Sequence, residues 1–232
     1  MLNTLKKVFP YTVPVLFGYL ALGFAFGLML SEIGYNPLWA FLMSLIIFAG
    51  SGQFLCVELL AVGASLTQVA LLTLILNFRH FFYGLSMISK YKKVSLTKRW
   101  YLIFGLTDET YALLSTTKVP ADIKEKDFLF LVTLMHHIYW IAGGVIGCTA
   151  GSFLPFSLEG VDFTMTALFA VLVVEQWYAH KDHRPALIGF ATTIVALIIL
   201  GPDNFLIPAL IIISGILLIL QKHLGKEEEV QL

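Results

Sequence analysis

The chain has 232 residues, of which 58% are hydrophobic and only 13% are charged, and its formal net charge is zero. Soluble domains have about 45–50% apolar and about 25% charged residues, so this composition excludes an ordinary soluble domain and indicates an integral membrane protein. The neutral balance gives no support to nucleic-acid binding, and two cysteines are too few for a disulfide framework.

The first apolar run covers residues 8–30 and follows Lys6 and Lys7. A helix needs about 20 residues to cross the hydrocarbon core, so this run is long enough to span it. It is too long for the apolar part of a signal peptide and lacks an A-x-A-like cleavage site, so we expect a retained first span. Gly23 and Gly27 form a G-x-x-x-G motif, which predicts close packing against another helix, and we favour a helix of the same chain.

The second run, residues 37–62, contains an interruption at its centre. A single helix of this length would measure about 39 Å, and its middle carries the sequence AGSGQ at 49–53. Glycine readily adopts conformations that end a helix, so we expect a break at mid-depth. The backbone N–H groups around Gly50, Ser51 and Gly52 are then available to a bound carboxylate, with Gln53 beside them.

The third run ends in NFRHFFYG, residues 77–84. A charged side chain near the bilayer centre costs about 3 kcal/mol, so Asn77, Arg79 and His80 are expected to face a protein interior or a watery cavity. The alternative places them near the membrane surface, with Arg79 reaching the headgroups.

The fourth run, residues 101–117, would be only about 25 Å long as a helix, and it carries Asp108 and Glu109 at its centre. Arg79 needs an anionic partner at this depth, and Asp108 or Glu109 is the nearest along the chain. We therefore predict that the three interrupted segments converge on one polar site. A short surface helix is the alternative for the fourth run.

The second half contains further apolar runs at 128–151, 161–177 and 205–220. The run at 128–151 carries His136 and His137 and then Gly143, Gly147 and Gly151, which repeat the small-residue spacing on one helix face. A hydrogen-bonded core role is the main alternative to a functional role for His137. Glu175 precedes a basic loop, so an interfacial carboxylate is its alternative.

Lysine and arginine are concentrated at the N-terminus, at 90–99, 118–127 and 180–184, and in the tail. Such residues favour the cytoplasmic side, and all of these segments share one side if 37–62 and 101–117 enter and return on the same side. The predicted fold is therefore all-α: a polytopic helical bundle with six full spans and two broken or re-entrant segments, with eight spans as the alternative. Residues 1–220 form one transmembrane domain, residues 221–232 form a tail, and both termini are cytoplasmic.

Five motifs occur in order along most of the chain: AGSGQF (49–54), NFRHFFYG (77–84), LTDETYAL (106–113), HHIYWIAGGVIG (136–147) and VDFTMTALFAVLVVEQW (161–177). In these motifs the chain resembles the AzlC family of branched-chain amino acid exporters. The resemblance implies export of leucine, isoleucine or valine across the bacterial cytoplasmic membrane, together with a small AzlD-type membrane subunit.

A zwitterionic amino acid needs a cation and an anion a few ångströms apart, with an apolar pocket beside them. The predicted substrate-binding residues are Gly50, Ser51, Gly52, Gln53, Asn77, Arg79, His80, Tyr83, Asp108, Glu109 and Tyr111. No phosphate-binding GxxxxGK[ST] motif is present, which disfavours ATP hydrolysis and favours ion or proton coupling. Asp108, Glu109, His137 and Glu175 are the predicted coupling residues, with His80 and His136 as further proton acceptors.

Other functions fit less well. The chain could be an assembly subunit or a channel whose partner carries the substrate site. An intramembrane enzyme is disfavoured, because adjacent histidines do not match the i, i+4 metal-ligand pair and no nucleophilic serine stands in a recognised setting. We therefore expect no catalysis, no metal and no cofactor.

Overall fold

The computed structural model describes residues 2–153, 170, 173–174, 177–178, 182–201 and 205–224. Within these ranges the regular elements are all α-helices, which confirms the all-α class. The helices are α1 (Leu2–Glu32), α2 (Pro37–Ile46), α3 (Ser51–Ala61), α4 (Leu66–Asn77), α5 (Arg79–Tyr91), α6 (Leu96–Phe104), α7 (Asp108–Thr116), α8 (Glu125–Phe153), α9 (Arg184–Leu200) and α10 (Leu206–Leu224).

Two helices in the described ranges are long and apolar enough to cross a membrane by themselves. They are the stretch Asn3–Glu32 of α1 and the whole of α8, of 30 and 29 residues. Helices α4 and α5 pass the same test as a pair bent by 45°. Length and composition therefore support two spans, or three with the bent pair, while α2, α3 and α9 are shorter apolar helices.

Helices α1 and α8 pack so closely that glycine is required at their contact. A Cβ atom on Gly147 would lie 2.0 Å from the Phe24 carbonyl oxygen, and one on Gly27 would lie 2.2 Å from the Gly144 carbonyl oxygen. Both distances are far below a van der Waals contact, so only hydrogen fits at these positions. This contact lies within the chain and confirms the internal packing predicted from the glycine spacing.

The second predicted segment is broken, as expected. Helix α2 ends at Ile46 and α3 begins at Ser51, with four residues between them. Phe48 has φ +41° and Gly50 has φ +36°. A positive φ is unusual for phenylalanine. The Phe48 ring is buried and stacks on His137 with 4.3 Å between ring centroids, and this packing holds the break in place.

Two further helix breaks lie in the third and fourth segments. We expected Asn77 to His80 near the end of the third segment, but α5 continues for 13 residues, so these residues lie at the bend between α4 and α5. The fourth segment, 101–117, is broken, as predicted. Helix α6 ends at Phe104 and α7 begins at Asp108, with Thr107 as its N-cap accepting a hydrogen bond from the Thr110 N–H at 3.3 Å. A Cβ at Gly105, in this break, would meet the Thr133 side chain at 2.4 Å.

The chain forms two compact units, Met1–Met165 and Thr166–Leu232. In the first, α8 is the central helix and contacts α1, α2, α6 and α7. In the second, α9 and α10 pack against each other, and both Ala196 and Ala209 are buried.

The predicted coupling residue Glu175 lies outside the described residues.

Candidate functional site

Three helices begin at one point in the first unit, each directly after a break. Their first residues are Ser51 of α3, Arg79 of α5 and Asp108 of α7. Arg79 Nη1 lies 2.8 Å from Asp108 Oδ2, and Arg79 Nη2 donates a hydrogen bond to Ser51 Oγ at 2.7 Å. We call these three residues the polar junction. The predicted convergence of the interrupted segments is therefore present, and Asp108 is the anionic partner of Arg79.

Helix dipoles explain part of this arrangement. The N-terminus of a helix carries a partial positive charge, so Asp108 in the first turn of α7 is stabilised as a carboxylate. Arg79 in the first turn of α5 is destabilised by the same effect, and the Asp108 carboxylate compensates for it. A third N-terminus, at Ser51, adds to the positive potential around the junction.

The ion pair is only partly satisfied. The side chains of Arg79 and Asp108 are 33% and 18% exposed, so both are largely removed from solvent. Among the described residues, no hydrogen-bond partner reaches the buried atoms Arg79 Nε and Asp108 Oδ1. Buried polar atoms are nearly always paired in proteins. Arg79 and Asp108 thus each keep one buried polar atom without a partner among the described residues.

Two tyrosines form an aromatic wall next to the junction. The rings of Tyr83 and Tyr111 stack with 4.4 Å between centroids and 13° between planes. Tyr111 donates a hydrogen bond to Ser86 Oγ at 3.3 Å, and the Tyr83 hydroxyl lies beside Asp108. The structure thus brings both predicted tyrosines to the charged pair.

Asn77 and His80 lie beside the junction but make local hydrogen bonds. Asn77 Nδ2 donates to the Thr73 carbonyl oxygen at 3.0 Å, and His80 Nδ1 lies 3.2 Å from the Asn77 carbonyl oxygen. The Asn77 amide also approaches Gly52, where a Cβ would lie 3.8 Å from Nδ2. Both side chains stabilise the bend between α4 and α5.

Two expected ligands at the first break are already paired. The Gly52 N–H, which the sequence offered to a substrate carboxylate, donates to the Ala49 carbonyl oxygen at 2.6 Å. Gln53 is fully buried and faces α8 instead of the junction. Its Oε1 accepts from Trp140 Nε1 at 2.7 Å, and its Nε2 donates to Ser44 Oγ at 3.3 Å. Gln53 therefore joins α3 to α2 and α8.

Glu109 points away from Arg79, towards α1. The Tyr19 hydroxyl donates to Glu109 Oε2 at 2.7 Å and lies 2.6 Å from Thr107 Oγ1. Sequence reasoning did not identify Tyr19, which is an aromatic residue in an apolar span with no distinctive neighbours. Only its hydroxyl in an otherwise apolar stretch was available as a signal.

The two adjacent histidines have different environments. His137 Nε2 lies 3.1 Å from the Ser44 carbonyl oxygen and Nδ1 lies 3.0 Å from the Tyr101 hydroxyl. A carbonyl oxygen only accepts, so Nε2 carries the proton and Nδ1 accepts from Tyr101. His136 Nδ1 lies 2.8 Å from Thr110 Oγ1, and its buried Nε2 has no partner among the described residues.

Comparisons with known proteins agree with the sequence motifs. The family model described as AzlC protein matches residues 14–154. The chain is 42% identical over 223 residues to the branched-chain amino acid transport protein AzlC of Bacillus subtilis (strain 168), covering 96% of this chain and 87% of that protein.

Two other relatives are named as membrane proteins. The chain is 42% identical over 223 residues to an uncharacterized membrane protein of Haemophilus influenzae, covering 96% of this chain and 90% of that one. It is 29% identical over 204 residues to the inner membrane protein YgaZ of Escherichia coli (strain K12), covering 87% of this chain and 82% of that one. No solved structure matches the chain. With a matching family model across more than half of its length and relatives of this similarity, the chain belongs to the AzlC family of membrane proteins.

Proposed function

We propose that this protein is a secondary active exporter of branched-chain amino acids, and that the polar junction binds the charged ends of the substrate. The family membership and the name of the Bacillus subtilis relative support transport of this substrate class. Export as the direction, the coupling to ions or protons, and a small AzlD-type membrane partner are further parts of the proposal.

The observation that carries the proposal is the incompletely satisfied pair of Arg79 and Asp108. An amino acid zwitterion presents one carboxylate and one ammonium group a few ångströms apart. We propose that Arg79 Nε donates to the carboxylate and that Asp108 Oδ1 accepts from the ammonium, since neither atom has a hydrogen-bond partner among the described residues. The direct Arg79–Asp108 contact keeps both charges paired when no substrate is bound, which avoids an isolated charge in the membrane.

The surroundings suit an aliphatic side chain. The stacked rings of Tyr83 and Tyr111 provide an apolar surface next to the charged pair. We propose that the remaining predicted residues, Gly50, Ser51, Gly52, Gln53, Asn77, His80 and Glu109, contribute by shaping the breaks or holding the ligands. Ser51 does so by its hydrogen bond to Arg79.

The topology is part of the same proposal. Six full spans and two broken segments, 37–62 and 101–117, place the basic loops and both termini in the cytoplasm. The helix breaks within both segments support this arrangement. Residues 1–220 act as one transporter domain, with residues 221–232 as a cytoplasmic tail.

Counterflow of labelled leucine into proteoliposomes, with and without the small subunit, tests the proposal. Arg79→Ala and Asp108→Asn each remove charge-assisted contacts worth about 1.5–3 kcal/mol, so we expect leucine affinity to fall about ten- to hundredfold. Labelled lysine should show no counterflow, because its charged side chain does not fit against the apolar surface of the two tyrosine rings.

An exposed ion pair on the same chain supplies the matched control. Lys93 and Glu125 lie 3.1 Å apart, with side chains 68% and 37% exposed. Lys93→Ala and Glu125→Gln should leave counterflow at the wild-type level, because exposed pairs contribute little. Full counterflow in both junction variants would show that substrate binds elsewhere.

A further inference from the structure

A continuous row of hydrogen bonds leads from Glu109 into the centre of α8. Tyr19 donates to Glu109 at 2.7 Å, and the Tyr19 hydroxyl lies 2.6 Å from that of Thr107. The Thr107 hydroxyl donates to Thr110 Oγ1 at 2.9 Å, and Thr110 Oγ1 lies 2.8 Å from His136 Nδ1. Four short links and three hydroxyls therefore connect a carboxylate to an imidazole.

The row is shielded from water between Tyr19 and His136, and Glu109 at its other end is half-buried. Thr110 and His136 are fully buried, Tyr19 is 3% exposed and Thr107 is 7% exposed. Three helices, α1, α7 and α8, contribute to it, together with the N-cap of α7. Polar side chains from distant parts of the chain thus meet in the protein interior, where apolar side chains are usual. Buried polar groups of this kind cost free energy unless they are hydrogen-bonded.

Each hydroxyl carries one proton, so the row has two directions. With Glu109 ionised, His136 is an imidazolium, Tyr19 donates to Glu109, and the Thr107 hydroxyl turns from Thr110 to Tyr19. Thr110 then donates to Thr107, and His136 Nδ1–H donates to Thr110. With Glu109 protonated, the carboxyl donates to Tyr19, Tyr19 to Thr107, and Thr107 to Thr110, which is the direction of the Thr107–Thr110 bond in the structure. Thr110 then donates to Nδ1 of a neutral His136, whose remaining proton is on Nε2. Passing from one direction to the other moves one proton between Glu109 and His136, while no hydroxyl gains or loses a proton overall.

We propose that Glu109, Tyr19, Thr107, Thr110 and His136 form a proton relay that couples the polar junction to the core of the protein. The proposal rests on the proposed transport function and names its coupling route. Asp108 is the residue next to Glu109 and is bound to Arg79, so a substrate that separates this ion pair changes the field at Glu109. Substrate binding thereby favours one direction of the relay. His136 is the histidine of this relay. His137 bonds to Tyr101 and to the Ser44 carbonyl oxygen, outside the row, and its coupling role stays a separate prediction.

Four charged or titratable groups of the described residues act on the two ends of the relay. Arg79 on α5 and Asp108 on α7 act on Glu109. Tyr19 on α1 and Tyr139 on α8 face the His136 ring, with 5.7 Å and 6.4 Å between ring centroids. His136 Nε2, which has no hydrogen-bond partner among the described residues, is the end of the relay farther from the junction.

Single hydroxyl deletions test the relay. Thr110→Val and Tyr19→Phe each remove one hydroxyl with little change of volume, and Thr110→Ser restores it. Controls are Thr133→Val and Tyr139→Phe, because these buried hydroxyls bond to the Leu129 carbonyl oxygen and to Thr12, outside the relay. Each variant is reconstituted at full length and assayed for leucine counterflow without a pH gradient and for leucine flux driven by one.

We expect Thr110→Val and Tyr19→Phe to keep counterflow within about twofold of wild type. Leucine flux driven by the pH gradient should fall about tenfold or more, because the interrupted row of hydrogen bonds cannot transfer the proton. Thr110→Ser and both controls should retain both activities. Wild-type coupling in Thr110→Val and Tyr19→Phe would overturn the relay while leaving leucine transport intact.

A measurement without substrate separates the two proposals. Infrared pH titration of the purified chain follows the Glu109 carboxyl band, identified by its loss in Glu109→Gln, and the ring bands of His136. A relay requires that these groups titrate together in wild type and separately in Thr110→Val. If wild type shows no leucine counterflow, the proposed function fails, and coupled titration would still support the relay. Independent titration in wild type would overturn it.

Discussion

Gly147→Ala is the sharpest test of the packing that organises the membrane helices. The added methyl would lie 2.0 Å from the Phe24 carbonyl oxygen and 2.6 Å from its Cα atom. Both are backbone atoms, so neither can rotate away as the end of a long side chain could. Ordinary contacts begin near 3.4 Å, so α1 and α8 must separate by about 1.4 Å at this point.

The energetic outcome follows from two opposing effects. Overpacking costs about 1–3 kcal/mol, and the upper end applies because backbone has to move. Alanine is favoured over glycine in a helix by about 1 kcal/mol, which offsets part of that cost. We therefore expect Gly147→Ala to lower the free energy of unfolding by about 2 kcal/mol.

Gly18→Ala is the matched control, because a Cβ at Gly18 of α1 has nothing within 4 Å. It should leave stability unchanged or raise it by up to about 1 kcal/mol. Reversible unfolding in mixed micelles, followed by far-UV circular dichroism, measures both variants. Equal stability of Gly147→Ala and Gly18→Ala would refute the close approach of α1 and α8.

Two more predictions concern single polar contacts. Gln53→Leu deprives the buried Trp140 N–H of its acceptor, so the free energy of unfolding should fall by about 1–3 kcal/mol, and unchanged unfolding would contradict this. The Lys7 ammonium donates to Asp122 and holds the pKa of that carboxyl below its usual range, so the contact stabilises the fold above the usual aspartate pKa and is lost as pH falls through the lowered one. NMR titration of Asp122 should show a low pKa that rises in Lys7→Ala, and an equal pKa in both chains would exclude the contact.

The break in 37–62 was predictable because its cause is local. Two glycines flank Ser51, and the structure places positive φ at Gly50 and at nearby Phe48. The close contact of α1 and α8 was predictable for a similar reason, since a glycine spacing of four lines up on one face of any helix. The bend at Phe78 was not predicted, because the apolar sequence on both sides of it is typical of one continuous helix.

Other features depended on distant parts of the chain. Gln53 looked like a ligand because it lies at a break, yet Trp140, 87 positions later, supplies its partner. Tyr19 looked like any aromatic residue of a span, yet it bonds Glu109, 90 positions later. A hydrogen bond across such a separation leaves no trace in the local pattern of either segment.

By itself the sequence determined that the protein lies in a membrane, that it is helical and that ionisable groups lie at interrupted segments. Overall composition and the local conformational freedom of glycine are sufficient for these inferences. It left Asp108 and Glu109 as equal partners for Arg79. Only the packing of α1, α5 and α7 decided that Asp108 binds Arg79 and that Glu109 turns to Tyr19. Adjacent residues on a helix point about 100° apart, so the helices that surround α7 determine which charge meets which partner.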